Sequence, residues 1–422
     1  MPTVPIGYLV TATLVALCTL LALAPLRRPW ALGRMSWRFA FLLNELPFVA
    51  FCYLLASTLL AIGQGDIDSP YGWLALGVAV LAMAGLPAVA WRGLRAGPAV
   101  DHALREGLGA DWRTSIDAGM AARLRRRLPV ARILFAPFSV RRHDVERLSD
   151  IRYGDAGRRN LLDVYRQRSR PSGAPTLVFL HGGGFVSGRK SREARPLIHR
   201  LASQGWVCIT ANYRLSPAAR FPDHLIDAKK VIAWVREHGH EYGADPAVLF
   251  VAGSSAGGHM AAMAALTPND PAFQPGFERA DTSVTAAISL YGYYGTLDTN
   301  PRVGPLRGDK RPPSSPLAYV RPDAPPFFVA HGDLDTYVHV DSARLLVERL
   351  RRTSSNPVVY AELPGAQHSF DLFHSIRFET VVDATEAFAA WVRSRGGGRR
   401  RRPYGAWTTA SPGRTRGPRP GR

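Results

Sequence analysis

Three long apolar runs near the N-terminus constrain the fold of this chain more than any other feature. No charged residue occurs from Pro2 to Leu26, and further apolar runs extend from Phe39 to Ile62 and from Tyr71 to Trp91. A helix of about 20 apolar residues is long enough to cross the ~30 Å hydrocarbon core of a membrane. We therefore expect residues 1–91 to form a membrane region with three transmembrane helices.

The first run has an alternative interpretation as a cleaved signal peptide. Ala22, Leu23 and Ala24 resemble the small-residue cleavage site of such a peptide. The run has no basic start, however, and Pro25 would follow the cut, where proline is poorly tolerated. An uncleaved span is therefore the preferred interpretation.

Glu45 lies inside the second run, and an acid within a membrane is by default a candidate functional group. The simpler interpretation places Asn44 and Glu45 at the level of the lipid headgroups, so that the span begins near Leu46. We prefer the simpler interpretation.

The charges of the loops predict the orientation of the spans. Residues 27–38 contain four arginines, whereas the loop at residues 63–70 contains only Asp66 and Asp68 as charged residues. Basic residues close to span ends stay on the cytoplasmic side. The sequence therefore predicts a multi-pass protein of the cell membrane, with the N-terminus outside and everything after the third span in the cytoplasm.

The basic charge of the chain does not indicate a nucleic-acid partner. The sequence has 53 Lys plus Arg against 33 Asp plus Glu, a formal net charge of +20. A nucleic-acid-binding domain carries basic residues on its folded body, but here they are densest in residues 396–422, which are rich in Gly, Pro and Arg and contain no acid. We expect these residues to be a disordered tail.

Residues 92–147 are predicted to be a basic amphipathic connector or cap. Within them, residues 120–138 interleave arginines with Leu, Val, Ile and Phe. A helix of this composition would suit the headgroup plane of an anionic leaflet. Packing of the same helix on the following domain is an equally good interpretation.

From residue 148 onward, short β-rich runs alternate with longer helical patterns. Strands such as TLVFL and PFFVA are continuous apolar runs, as is typical of a parallel sheet buried on both faces. The predicted strands are 149–155, 160–167, 176–181, 206–213, 247–253, 285–291, 326–331 and 358–363, and the predicted helices are 191–204, 223–241, 256–266, 340–352 and 376–394. The pattern predicts an α/β domain over residues 148–395, with a mostly parallel sheet of about eight strands.

Residues 253–257 match G-x-S-x-G at a predicted junction of strand and helix. The two glycines permit a tight turn that lifts Ser255 Oγ clear of the sheet, and the helix N-terminus behind it favours developing negative charge. Ser255 is therefore the candidate nucleophile. Ser254 is the competing residue, with a turn hydroxyl as its expected role.

The run HGGGF at residues 181–185 follows another buried strand. Successive glycines allow backbone N–H groups to point into a pocket, which stabilisation of a tetrahedral oxyanion requires. His181 is expected to be a structural turn residue rather than a general base.

An acid and a base are needed after the nucleophile, and both can be found at strand ends. Asp333 and Asp335 follow one predicted strand, and His368 follows another; the carboxyl ends of parallel strands meet at one edge of the sheet. His368 would accept the Ser255 proton while a carboxylate fixes its tautomer. Asp335 suits that role better than Asp333, and His374 is the alternative base.

These motifs together carry a family resemblance. HGGGF, ANYRLSPAARFPDHLIDAKKVIAWV, GSSAGG, HGDLDTYV and GAQHSF, in this order, resemble the α/β-hydrolases of the hormone-sensitive-lipase-like and carboxylesterase-type group over residues 148–395. The resemblance implies Ser255 as nucleophile, Asp335 as acid and His368 as base. It also implies an oxyanion hole formed by the N–H groups of Gly183, Gly184 and Ala256.

The chain departs from this group at two positions and in one segment. Bacterial members usually have an acid before the nucleophile and a Glu after the proline of their YRL-x-P segment, but Ser254 and Ala218 stand here. Residues 292–325 form a short Pro-rich stretch in place of a longer cap. We expect this stretch and the connector to wall the acyl pocket.

The function predicted from the sequence is a membrane-anchored serine esterase. It would hydrolyse carboxylic esters of small molecules or lipids through an acyl-enzyme, with no organic cofactor. Cys18, Cys52 and Cys208 lie in apolar runs and indicate neither a disulfide framework nor a metal site. Two alternatives remain: a peptidase or amidase, because HGDLDTYV also resembles prolyl-oligopeptidase-type hydrolases, and a non-catalytic membrane module that binds lipid or a partner.

Overall fold

An eight-stranded mixed sheet organises the C-terminal part of the chain in the computed structural model, which describes residues 5–125, 127–298, 303–304 and 312–400, with side chains as far as residue 395. Each predicted strand overlaps one observed strand, and β2 runs antiparallel to both β1 and β4, while the other neighbours are parallel. The strands, in the spatial order β1-β2-β4-β3-β5-β6-β7-β8, are β1 (Val145–Arg152), β2 (Leu161–Gln167), β3 (Ala174–Leu180), β4 (Val207–Ala211), β5 (Ala244–Ser254), β6 (Ala286–Leu290), β7 (Phe327–Gly332) and β8 (Val358–Leu363).

Helices precede the sheet and cover both of its faces. Those of the described residues are α1 (Ile6–Leu23), α2 (Trp30–Glu45), α3 (Pro47–Gly63), α4 (Pro70–Leu94), α5 (Ala96–Leu108), α6 (Ala118–Ala121), α7 (Val130–Phe135), α8 (Arg195–Ser203), α9 (Asp223–His238), α10 (Ala256–Leu266), α11 (Asp341–Thr353) and α12 (Ile376–Arg400). The predicted helix at 191–204 begins only at Arg195. Of the predicted disordered tail, the first five residues continue α12, and residues 401–422 lie outside the described residues.

The strands are continuous apolar runs because a core packs on each face of the sheet. In β3, Val178 and Leu180 face one core, whereas Leu177 and Phe179 face the other. Helices α9 and α10 contribute to the first core, and α8 and α12 contribute to the second. Because both faces of the sheet are covered, every position of β3 is buried.

Helices α1, α3 and α4 form a bundle at the N-terminus. Ala12, Ala75 and Ala79 are fully buried between them, as expected where small residues allow helix backbones to approach closely in a membrane. The Tyr8 hydroxyl donates a hydrogen bond to Thr58 Oγ1 at 3.1 Å. By length and composition, α1 and the continuous helical stretch Pro70–Leu108 could each cross a membrane.

The second predicted span is not one straight helix. Helices α2 and α3 meet at an angle of 87°, and the break falls at Leu46, directly before Pro47. Proline lacks the N–H that would continue a helix and disfavours helical geometry in the residue before it. The apolar count alone did not reveal this break. The pair would supply a third crossing only if both helices form one broken span.

The connector is also divided, and it packs mainly on the sheet domain. Helix α5 covers the edge strand β8, with Gly107 against the backbone of Val358, which shields an edge that could otherwise pair with another chain. The single helix expected over residues 120–138 is replaced by the short α6 and α7, and Pro129 lies directly before α7. Arg125 pairs with Glu379 and Asp383, each at 2.6 Å.

Candidate active site

Ser255 occupies a strained turn between β5 and α10. Its backbone has φ 55° and ψ −117°, a conformation that a non-glycine residue adopts only when its surroundings impose it. A Cβ on Gly253 would collide with the carbonyl of Gly257, and one on Gly257 would collide with the carbonyl of Leu180. The two glycines of the motif are therefore required by close backbone approach, as in a nucleophile elbow.

The structure brings the predicted nucleophile, base and acid into one hydrogen-bonded line. Ser255 Oγ lies 2.9 Å from His368 Nε2, and His368 Nδ1 lies 2.7 Å from Asp335 Oδ2. All three residues are at most 6% exposed. With the proton of His368 on Nδ1, the imidazole donates to Asp335 and leaves Nε2 free to accept from Ser255.

Asp335 is held as a charged group by its surroundings. Its Oδ1 accepts hydrogen bonds from the N–H groups of Tyr337 and Val338, at 2.9 and 2.8 Å, and its Oδ2 lies 3.4 Å from His331 Nε2. Burial by itself would raise the pKa of Asp335, but His368 and His331 act against it and hold the pKa of this carboxyl well below its ordinary value.

Asp333 and His374, the alternative acid and base, make hydrogen bonds outside the Ser255–His368–Asp335 line. Asp333 Oδ1 accepts from the N–H of Gly365 at 2.7 Å, and burial raises the pKa of Asp333 above its ordinary value. His374 pairs with Glu379 on α12. His181 stacks on Tyr213, with ring centroids 4.2 Å apart, as suits the structural role expected of it.

The glycine loop lies directly beside the nucleophile. A Cβ on Gly182 would lie 3.1 Å from Ser255 Cβ, and Gly183 and Gly184 have φ values of +113° and +61°. These left-handed conformations turn the backbone away from the strand. Among the residues that the structure describes, the N–H groups of Gly183, Gly184 and Ala256 have no hydrogen-bond acceptor, so they are available to a ligand.

Two buried carboxyl groups support this loop and the nucleophile turn, and the sequence patterns did not single them out. Glu193 Oε2 accepts from the Gly182 N–H at 2.9 Å. Asp371 Oδ2 accepts from Ser254 Oγ at 2.5 Å, and its other oxygen accepts from the Tyr291 hydroxyl. Burial, reinforced by the neighbouring Asp371, raises the pKa of Glu193 to about 7. Burial also raises the pKa of Asp371 above its ordinary value.

Helix α2 lies against the loops that carry Asp335 and His368, which its place beside a predicted membrane span did not indicate. Trp37 Nε1 donates to the carbonyl of His368 at 3.0 Å, and the two rings are 6.0 Å apart. The Thr336 hydroxyl donates to the carbonyl of Gly33 at 2.8 Å, an approach so close that a Cβ on Gly33 would be 2.8 Å from the Thr336 carbonyl oxygen. The side of the site next to His368 is thus walled by α2.

The structure describes only part of residues 292–325, which we expected to wall the acyl pocket. Residues 299–302 and 305–311 lie outside the described residues. The role of this stretch in the acyl pocket therefore stays a prediction.

Known proteins that are similar to this chain include esterases. Residues 162–303 match the family model BD-FAE. The probable carboxylic ester hydrolase LipM of Mycobacterium tuberculosis is 38% identical over 92% of this chain and 93% of its own length, and esterase LipQ of the same organism is 38% identical over 74% and 78%. Among solved structures, the apo form of Thermogutta terrifontis esterase 2 aligns with a TM-score of 0.49 at 25% identity, over 58% of this chain and 92% of that chain.

The chain belongs to the α/β-hydrolase esterases of which LipM and LipQ are members. It is a carboxylic ester hydrolase. Because the match with LipM leaves only about a twelfth of the chain unmatched, the similarity extends well beyond residues 148–395 and into the N-terminal helices.

Proposed function

We propose that this esterase acts through Ser255, His368 and Asp335, with the ester bond cleaved in two steps. Ser255 Oγ attacks the carbonyl carbon while His368 Nε2 takes its proton. The tetrahedral intermediate then collapses, the alcohol leaves with the proton from His368, and the acyl group stays on Ser255. Water, activated by the same imidazole, releases the acid and restores the serine.

The observation that carries this proposal is the hydrogen-bonded line from Ser255 through His368 to Asp335. The free N–H groups of Gly183, Gly184 and Ala256 support it, because donors that are already oriented stabilise the oxyanion without reorganisation. A charged Asp335 holds the Nδ1 proton in place and stabilises the imidazolium that forms.

We also propose that α1, α3 and α4 anchor the enzyme in the membrane with the catalytic domain on the cytoplasmic side. Arg92, at the end of α4, donates to the carbonyl of Leu23 at the end of α1, at 2.8 Å. A Cβ on Gly365, close to His368, would lie 2.8 Å from Arg92 Cδ. The ends of α1 and α4 therefore meet the sheet domain on one side, which suits a domain held at one membrane surface.

Labelling with a fluorophosphonate tests the nucleophile. In the full-length protein we expect one phosphonylated residue, Ser255, and complete loss of labelling in Ser255→Ala. Hydrolysis of an aryl ester should fall by ~10³-fold or more in Ser255→Ala and in His368→Ala, because these residues act as a unit.

The matched control is Ser254→Ala, which removes the neighbouring hydroxyl and its bond to Asp371. It should still be labelled at Ser255. Labelling that persists in Ser255→Ala, or that disappears in Ser254→Ala alone, would show that the nucleophile has been assigned wrongly.

A further inference from the structure

We propose that an apolar groove between α1, α2, α3 and Phe138 binds the long acyl chain of a lipid ester dissolved in the bilayer, with its carbonyl presented to Ser255 beside Trp37. This inference rests on the proposed function and names its substrate class. The groove is formed mainly by the helices of the N-terminal region, and Ser255, His368 and Asp335 are not among its lining residues.

The groove has the size and chemistry of a site for an acyl chain. Its volume is about 430 Å³, within the range of ~300–1,000 Å³ that is common for small-molecule sites. Leu14, Phe41, Leu42 and Val49 line it, and Phe138 closes one side. Leu14, Leu42 and Val49 are 50, 40 and 37% exposed, so the groove is open on the side where bilayer lipid would lie.

A continuous set of rings joins the groove to the catalytic base. Phe41, which lines the groove, lies 5.9 Å from the Trp37 ring, and Trp37 lies 6.0 Å from the ring of His368. Phe373 lies 6.4 Å from Phe41 and 5.4 Å from Phe138, and so joins two aromatic residues that line the groove. A chain lying in the groove would therefore need to pass only one aromatic residue, Trp37, to bring its ester to His368.

The surroundings of the groove place it at the membrane surface. Next to Phe138, the short α7 exposes Val130, Leu134 and Phe135, which are 58, 41 and 85% exposed. Arg38 lines the groove and is itself exposed, where its guanidinium can reach the headgroups while its stem lies along apolar surface.

Lateral entry from the bilayer has a clear energetic reason. Taking an acyl chain out of apolar surroundings into water is unfavourable, and the cost rises with each CH₂ group. A substrate that slides from the bilayer into an apolar groove avoids that cost for the whole chain. An enzyme whose acyl site opened to water would not avoid this cost. The free energy that lateral entry saves increases with the length of the acyl chain.

A photo-crosslinking alkyl fluorophosphonate tests the proposal directly. The probe carries a long alkyl chain with a diazirine at its end and reacts with Ser255 in the full-length protein in lipid nanodiscs. After irradiation, we expect cross-links in residues 14–18 or 38–53. Cross-links confined to residues 182–325 would overturn the groove. Failure to react at Ser255 would instead overturn the proposed function, so the two failures are distinguishable.

Chain-length selectivity provides a second measurement that does not depend on the probe. Val49→Trp fills the groove, and Leu59→Trp places the same side chain at a position on α3 that is 60% exposed and outside the groove. We expect Val49→Trp to lower kcat/KM for a palmitoyl ester in vesicles by about tenfold or more, since even one misfitted methylene can cost tenfold. Leu59→Trp should leave the hydrolysis of both esters unchanged, and Val49→Trp should lower the ratio of palmitoyl to butanoyl hydrolysis.

An equal ratio of palmitoyl to butanoyl hydrolysis in wild type, Val49→Trp and Leu59→Trp would overturn the proposal. The same holds if lipid occupies the groove but filling it leaves that ratio unchanged, because the groove would then hold a bilayer lipid and not the substrate.

Discussion

Ser254 and Asp371 show how a carboxyl group reaches the nucleophile turn from a distant part of the chain. The enzymes that this chain resembles usually have an acid directly before the nucleophile, and Ser254 stands there instead. Its hydroxyl donates to Asp371, which lies three residues after His368. The buried carboxyl that the local motif lacks is thus supplied by the histidine loop, and it ties that loop to the nucleophile turn.

The choice between Asp335 and Asp333 leads to a prediction at the residue scale. In Asp335→Asn, the amide oxygen must face the N–H groups of Tyr337 and Val338, so its NH₂ faces His368 Nδ1 and imposes the wrong tautomer. We expect kcat for an aryl ester to fall by ~10³–10⁴-fold, the size of the effect where a triad acid is replaced in this way.

Asp333→Asn is the matched control for this loss. Its amide oxygen can still accept from the Gly365 N–H, so its kcat should stay within a few-fold of the wild type. A loss in Asp333→Asn that equals the loss in Asp335→Asn would contradict the assignment of the acid.

At the scale of elements, α2 is joined to α12 by a buried ion pair. Glu45 and Arg377 have side chains that are 2% and 1% exposed. Glu45 also accepts from the Ser375 hydroxyl at 2.7 Å, and Arg377 donates to the carbonyl of Asn44 at 3.0 Å. The bend at Leu46 thus turns Glu45 into the protein. That Glu45 lies at the level of the lipid headgroups stays a prediction, and α3 begins at Pro47, next to the span start expected near Leu46.

Removing either partner of this pair should destabilise the protein strongly. Glu45→Ala or Arg377→Ala would leave an uncompensated buried charge, which costs about 3–5 kcal/mol. The loss of unfolding free energy in the double variant should be smaller than the sum of the losses in the two single variants, because the double variant buries no unpaired charge. Denaturant unfolding of the full-length protein in detergent measures all three changes.

The exposed pair Arg344–Glu362 provides the comparison for this experiment. The side chains of Arg344 and Glu362 are 51% and 31% exposed, and solvent screens such a pair, so Arg344→Ala should cost less than about 1 kcal/mol. Strict additivity of Glu45→Ala and Arg377→Ala would argue against a coupled pair.

At the scale of the whole molecule, the arrangement of the spans predicts on which side the active site lies. Arg27, in the basic first loop, donates to the carbonyl of Asp333 at 3.1 Å, so this loop and the catalytic domain lie at the same end of the bundle. The other loop carries Asp66 and Asp68. Basic loops stay in the cytoplasm, and the catalytic domain should stay with them.

Reporter fusions check this orientation. A fluorescent protein fused after residue 395 should fluoresce, and alkaline phosphatase fused at the same position should be inactive. Phosphatase inserted after Gln64 should be active, since that loop is expected outside. Active phosphatase after residue 395 would reject the orientation and favour a cleaved first helix or a different number of crossings.

The sequence by itself determined the features that depend on neighbouring residues. The strands of the sheet, the glycine-bounded Ser255 turn and the HGGG loop are each set by a short local pattern of burial or backbone freedom. The order of the motifs then placed His368 and Asp335 at the same sheet edge, because parallel strands present their carboxyl ends together.

Only the tertiary structure decided which distant residues complete the site. Trp37 reaches His368 across 331 positions, and Glu45 reaches Arg377 across 332. No local pattern specifies such pairs, since they depend on how the bend before Pro47 turns α2 onto the catalytic loops. For the same reason, the apolar runs predicted a membrane region, but not that α2 lies against His368 and Thr336.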